Sequence, residues 1–181
     1  MKNDASKLSN SNRREFLRQG SMLAGGLIAA PLITNANYFS GADDVIKIAL
    51  VGCGGRGTGA ASQALLSKQN VRIVAMADAF RDNLDNCYQS LTSDEMAESI
   101  GGKAILKTRV DVPEERKFTG FDGYKKAIAL ADVVILATPP GFRPIHFEEA
   151  INQGKHVFME KPIAVELHEA DDLIAIAKRK N

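Results

Sequence analysis

Cysteine is scarce in this chain, long apolar runs are absent, and neither sign of charge dominates. Two cysteines in 181 residues, Cys53 and Cys87, are too few for a disulfide framework and match no metal-ligand spacing. Both are therefore read as free thiols, and no metal is expected. No stretch reaches the 18 or so consecutive apolar residues that mark a membrane-spanning helix. A net charge of +1 excludes the broad basic surface of a nucleic-acid binder. No internal repeat or low-complexity tract stands out. What remains, 45% hydrophobic and 25% charged residues, is the composition of a globular domain with a sizeable core.

The charge is unevenly placed, because residues 1–36 hold five Lys/Arg against two Asp/Glu. This stretch has the three parts of an export signal: a polar, basic segment to Arg18, an apolar run from Met22 to Ile33, and small residues after it. Within the basic part, "NRREFLR" resembles the twin-arginine translocation motif, with Arg13 and Arg14 as the pair and Asn12 where that family usually has Ser or Thr. Glycines 25 and 26 dilute the apolar run, as suits that pathway. The resemblance implies the twin-arginine translocase as a partner and a periplasmic protein, or one anchored at the outer face of the inner membrane. Cleavage fits after Ala36, and an uncleaved anchor and a basic amphipathic helix are the alternatives. Residues 1–36 are thus taken as the signal, 37–44 as a linker and 45–181 as the folded domain.

From Val45 the pattern becomes regular. "VIKIALV" (45–51) is short, rich in β-branched residues and almost continuously apolar, as a strand buried on both faces should be. A helix is predicted over 56–67 and a second strand over 71–77, which together make a βαβ unit. "DVVILAT" (132–138) and "HVFME" (156–160) have the same buried-strand character. Helices are predicted over 142–153, ending at Gly154, and over 165–178, with Leu167, Ala170, Leu173, Ile174 and Ala177 on one face. Residues 92–119 are less regular, and a third strand is placed near 103–107 or around 116–119. Alternating strands and helices predict a Rossmann-type, doubly wound α/β domain with a parallel sheet.

Gly52, Gly54 and Gly57 match G-x-G-x-x-G at the junction of the first strand and first helix. The first permits a tight turn, the second lets a diphosphate approach the backbone, and the third allows close packing of helix on strand. Gly52, Gly54, Gly55, Arg56 and Gly57 are therefore the candidate diphosphate cradle, with the positive end of the helix dipole behind them. Asp78, 21 residues after Gly57 at the end of the second strand, is placed to accept both adenosine ribose hydroxyls. Its charge would repel a 2′-phosphate and favours NAD, while Arg81 nearby leaves NADP open.

Two further stretches, "ILATPP" after the fourth strand and "GKHVFMEKPIA" around the fifth, complete a pattern similar to the Gfo/Idh/MocA family of nicotinamide-dependent oxidoreductases. The resemblance covers the chain from about Val45 to its end. It implies that Thr138 and Pro139 line the nicotinamide side of the cleft and that Lys161 touches both cofactor and substrate. It also implies that the Lys161–Pro162 bond is cis; Glu160, next to the lysine, either orients Lys161 or pairs with a cation. An ammonium between cofactor and substrate hydroxyl can polarise the oxygen and help move its proton as hydride leaves the carbon. Where the family shows Asn after "TP" and a His soon after, this chain reads "TPPGFRPIH", so His146 is displaced and is assigned to the first turn of a helix. Cys53, inside the glycine loop, is expected to fit the turn rather than to react.

By the same resemblance, a sixth strand and a second α+β domain, which supplies further catalytic residues and an oligomeric interface, are expected beyond residue 181. The activity expected of the whole protein is oxidoreduction of a sugar, an inositol or a related polyol. Two alternatives stand beside it. One is a glycosidase of the same superfamily, which uses bound NAD transiently and whose exported members depart from the "EKP" lysine kept here. The other is a non-catalytic nucleotide-binding protein.

Overall fold

The computed structural model describes residues 45–178, so the predicted signal with Arg13 and Arg14, and the linker, lie outside the described residues. Five strands form one parallel sheet: β1 (Ile46–Val51), β2 (Val71–Asp78), β3 (Lys117–Thr119), β4 (Val133–Leu136) and β5 (His156–Met159), in the order β3-β2-β1-β4-β5. This is the doubly wound order in which connections leave β1 toward one edge and reach β4 on the other side, opening a crevice at the carboxyl ends of those two strands.

The near-continuous apolar runs arise because both faces of the sheet are covered. Ile48, Leu50, Ile73, Met76 and Ile135 point into one core, and Ala49, Val51, Val74, Ala77, Val134 and Leu136 into the other. The first core is covered by α1 (Gly55–Leu66), α2 (Arg81–Leu91), α3 (Asp94–Ser99) and α4 (Lys103–Arg109), through Ala61, Leu65, Leu84, Leu91, Ala97 and Leu106. The second is covered by α5 (Gly123–Ala129), α6 (Arg143–Asn152) and α7 (Leu167–Lys178), through Ile128, Phe147, Ala150 and Leu173. Alternation slips once: Ile48 pairs with Ile73 but Ala49 with Ala75, so Val74 is an extra residue and both Val74 and Ala75 face the second core.

Several expectations need correction. The third strand is Lys117–Thr119, whereas 103–107 lies in α4, whose Leu106 enters the first core. β5 is not buried on both faces. It has a neighbour on one side among the described residues, and His156 and Phe158 are exposed. In α7 the buried side chain is Leu173, while Leu167 and Ile174 of the predicted stripe are exposed. The Lys161–Pro162 bond is cis, as the resemblance implied. No helix among the described residues is long and apolar enough to cross a membrane.

Candidate cofactor-binding site

At the carboxyl ends of β1, β2 and β4 lies a cleft of about 560 Å³, lined in part by Gly52, Gly54, Gly55, Arg56, Asp78, Thr138 and Pro139. Its floor is the turn from β1 into α1. Gly52 has φ +94°, and a Cβ there would stand 2.6 Å from the Thr138 nitrogen. Gly57 lies against the same turn, where a Cβ would come within 1.8 Å of the Gly52 carbonyl oxygen. Gly57 is therefore required by the close approach of α1 to the turn, and Gly52 by its positive φ and the close approach of the chain after β4. Gly54 and Gly55 face open space instead. Gly54 begins α1 with no side-chain cap, and no acidic residue occupies the first turn. A 12-residue helix thus presents uncapped N–H groups and the positive end of its dipole to a cleft free of side chains at Gly54 and Gly55. The donor set suits a dinucleotide diphosphate.

Asp78 ends β2 beside this loop. Its Oδ2 accepts from the Cys53 amide at 2.7 Å, and its Oδ1 from the Phe80 amide at 2.9 Å and Asn83 Nδ2 at 3.3 Å. The carboxylate is therefore oriented before any ribose binds. Arg81, the residue that left NADP open, turns to Asp85 and Glu114. Cys53 is buried, and contact with the buried Cys87 thiol, then burial itself, push its thiol up, so it stays protonated and part of the turn.

The other end of the cleft is built by the β4–α6 connection. Thr138 Oγ1 lies 3.1 Å from His146 Nδ1, and the His146 ring packs on Tyr124 with centroids 4.2 Å apart. His146 sits on α6 as expected, but it is buried and lines the cleft. Burial lowers its pKa to about 4, so the imidazole is neutral at physiological pH. Phe121 and Phe142, with centroids 6.0 Å apart, are exposed on the rim.

Glu160 and Lys161 follow β5. Of the two roles left open for Glu160, the structure has the ion pair: its carboxylate meets Arg56 at 2.5 Å, joining the turn after β5 to the glycine loop. The Arg56 guanidinium holds the Glu160 carboxyl below the usual carboxylate range, with Arg143 contributing. Lys161 is exposed, and the walls of the cleft do not include its side chain. Its backbone is held by a residue the sequence analysis did not single out. The Arg143 guanidinium, 5% exposed, donates to the carbonyls of Glu160 and Pro162, and through Nε to Thr138 O at 2.7 Å. One signal of it existed in the sequence: a cation beside Pro144 at the start of a helix opposes the helix dipole. Nothing local marked Tyr124 or Asn83.

Residues 46–181 match the family described as "Oxidoreductase family, NAD-binding Rossmann fold". Among curated relatives, an α-N-acetylgalactosaminidase of Shewanella oneidensis is 23% identical over 191 residues, covering 95% of this chain and 38% of that protein. The chain thus spans about two fifths of the length of the curated relatives it matches. Among solved structures, scyllo-inositol dehydrogenase from Lactobacillus casei with bound NAD(H) and scyllo-inositol is 23% identical with a TM-score of 0.52, over 76% of this chain and 34% of that one. A 3-ketoreductase from Actinomadura kijaniata, in complex with NADP and TDP-benzene, is 20% identical with a TM-score of 0.52, over 76% and 35% of the two chains.

Proposed function

Because the chain belongs to the Gfo/Idh/MocA family of NAD-binding oxidoreductases, we propose that the whole protein oxidises a hydroxyl-bearing carbon of a sugar, an inositol or a related polyol, or reduces the corresponding ketone. The observation that carries this reading is the single cleft shared by the glycine loop, Asp78 and Thr138–Pro139. The Gly54–Gly57 amides take the diphosphate, Asp78 takes the adenosine ribose hydroxyls, and Thr138 and Pro139 flank the nicotinamide. The bound nicotinamide supplies hydride exchange. Lys161, from the turn that Arg56 and Arg143 tie to the cleft, polarises the substrate oxygen and helps move its proton.

Hexoses, amino sugars, uronic acids and inositols are screened with the whole protein for NADH formation. On the best substrate, Lys161→Met should lower kcat by about 10² to 10³, the usual effect of losing a preorganised donor beside a developing alkoxide. NAD dissociation should change by less than about tenfold. A mutant that turns over like its parent removes Lys161 from catalysis.

A second reading is favoured by the α-N-acetylgalactosaminidase relative: transient oxidation of a glycoside with return of the hydride and release of the aglycone. Release of p-nitrophenol from nitrophenyl glycosides without net NADH would select it. Export by the twin-arginine route is part of the same proposal, since that route carries folded proteins and so lets NAD be loaded where it is made. Replacing Arg13 and Arg14 by Lys should retain the protein in the cytoplasm, and an unchanged distribution on fractionation would remove the assignment.

A further inference from the structure

Arg143 is a buried cation whose hydrogen bonds all go to main-chain carbonyls. The nearby Glu160 carboxylate is engaged by Arg56. Burying a guanidinium without a direct carboxylate partner is costly, and a side chain present merely to fill space would be apolar. The choice of acceptors gives the reason for a fork-shaped cation. Glu160 and Pro162 are the residues immediately before and after Lys161, and Thr138 lies just past the end of β4, the strand that neighbours β5. One rigid, planar group therefore fixes the backbone on both sides of Lys161 relative to the end of β4.

We propose that Arg143 is a positioning residue for Lys161, an inference that rests on the function proposed above. It holds the main chain on both sides of Lys161, from which, on that reading, the ammonium reaches the substrate. A displacement of about 1 Å at a reacting group can cost about 10²-fold in rate. Lysine cannot replace it, because a single ammonium lacks the planar fork that reaches carbonyls in two directions.

The test uses the whole protein with Arg143→Ala and Arg143→Lys, and three measurements: kcat on the best substrate, NADH affinity by fluorescence titration, and hydrogen exchange of peptides over 159–166 and over β1 and β2. For Arg143→Ala, kcat should fall about 30- to 100-fold, NADH affinity should stay within about threefold, and exchange should quicken at 159–166 alone. Ethylguanidinium should restore part of the lost kcat to Arg143→Ala, whereas Arg143→Lys should stay impaired. If Arg143→Ala does not fold, Arg143→Lys carries the same three comparisons. The proposal is overturned if kcat stays within about twofold of the parent. It is equally overturned if kcat and NADH affinity fall together while exchange rises through the sheet, the signature of a general stabiliser. If the parent forms no NADH from any substrate, the functional reading fails. Exchange then decides the clamp alone: quickening confined to 159–166 supports it and unchanged exchange overturns it.

Discussion

The Cys53 amide donates to the Asp78 carboxylate at 2.7 Å, so the acidic end of β2 is fastened to the glycine loop that follows β1. The same carboxylate has both a structural and a ligand-binding duty. Asp78→Ala should weaken NADH binding by the roughly 1.5 to 3 kcal/mol typical of hydrogen bonds to a charged group, about 10- to 150-fold in a fluorescence titration. Asp78→Asn keeps an acceptor for Cys53 and removes the charge, so it should narrow the gap between NADH and NADPH. Arg81→Ala should leave that ratio unchanged, because Arg81 is committed to Asp85 and Glu114.

Gly54, Gly57 and Gly59 should respond to alanine in different ways. Gly57→Ala places a methyl 1.8 Å from the Gly52 carbonyl oxygen. It should destabilise the domain by about 3 kcal/mol or more, read from its urea midpoint. Gly54→Ala meets no protein atom within 4 Å, so its midpoint should move little, while NADH affinity drops by about tenfold or more. Gly59→Ala, in open space within α1, should raise the midpoint slightly and leave binding alone.

His146 gives the domain a pH dependence. Its pKa falls from 6.5 to about 4 because the fold buries it. The unfolded chain therefore binds more protons between those values, and stability rises with pH through that window. The stabilisation is complete above the unfolded value and is lost as pH drops from about 6.5 toward 4, amounting to about 3 kcal/mol at most. Urea midpoints measured from pH 4 to 7.5 should show this slope in the parent and a shallower one in His146→Asn.

Cys53 and Cys87 should be unreactive in the native protein, each being buried. Dithionitrobenzoate should modify both only as fast as the domain opens, and both promptly in 6 M guanidinium, a concentration at which ordinary domains are unfolded. Saturating NADH should slow native labelling further, because Cys53 lies in the loop it occupies. Prompt labelling of Cys53, identified by peptide mass, would contradict the packing.

Legibility in the sequence followed burial. β1, β2 and β4 are covered on both faces, so their apolar runs stand out, as does the glycine fingerprint with Asp78 after it. The sequence leaves β3 between two places, of which 116–119 holds it, because it is three residues long and starts with Lys117, whose ammonium lies 3.8 Å over the Tyr88 ring. The apolar centre of α4 reads like a strand since a seven-residue helix shows barely two turns of its period. His146 and Arg143 carried polar labels that usually mean surface, yet tertiary contacts with Tyr124 and with the turn after β5 bury them.

The two cores and the cleft draw on largely separate residues: of the loop tips, Cys53 is packed into a core, while Gly52, Asp78, Thr138 and Lys161 are not. Such a division makes the scaffold evolvable. Substitutions at exposed cleft positions such as Gly54, Gly55 and Phe142 can change what the cleft accepts without eroding the packing that keeps the sheet folded. In such a scaffold sequence identity can sink to 20–23% while the backbone stays alike.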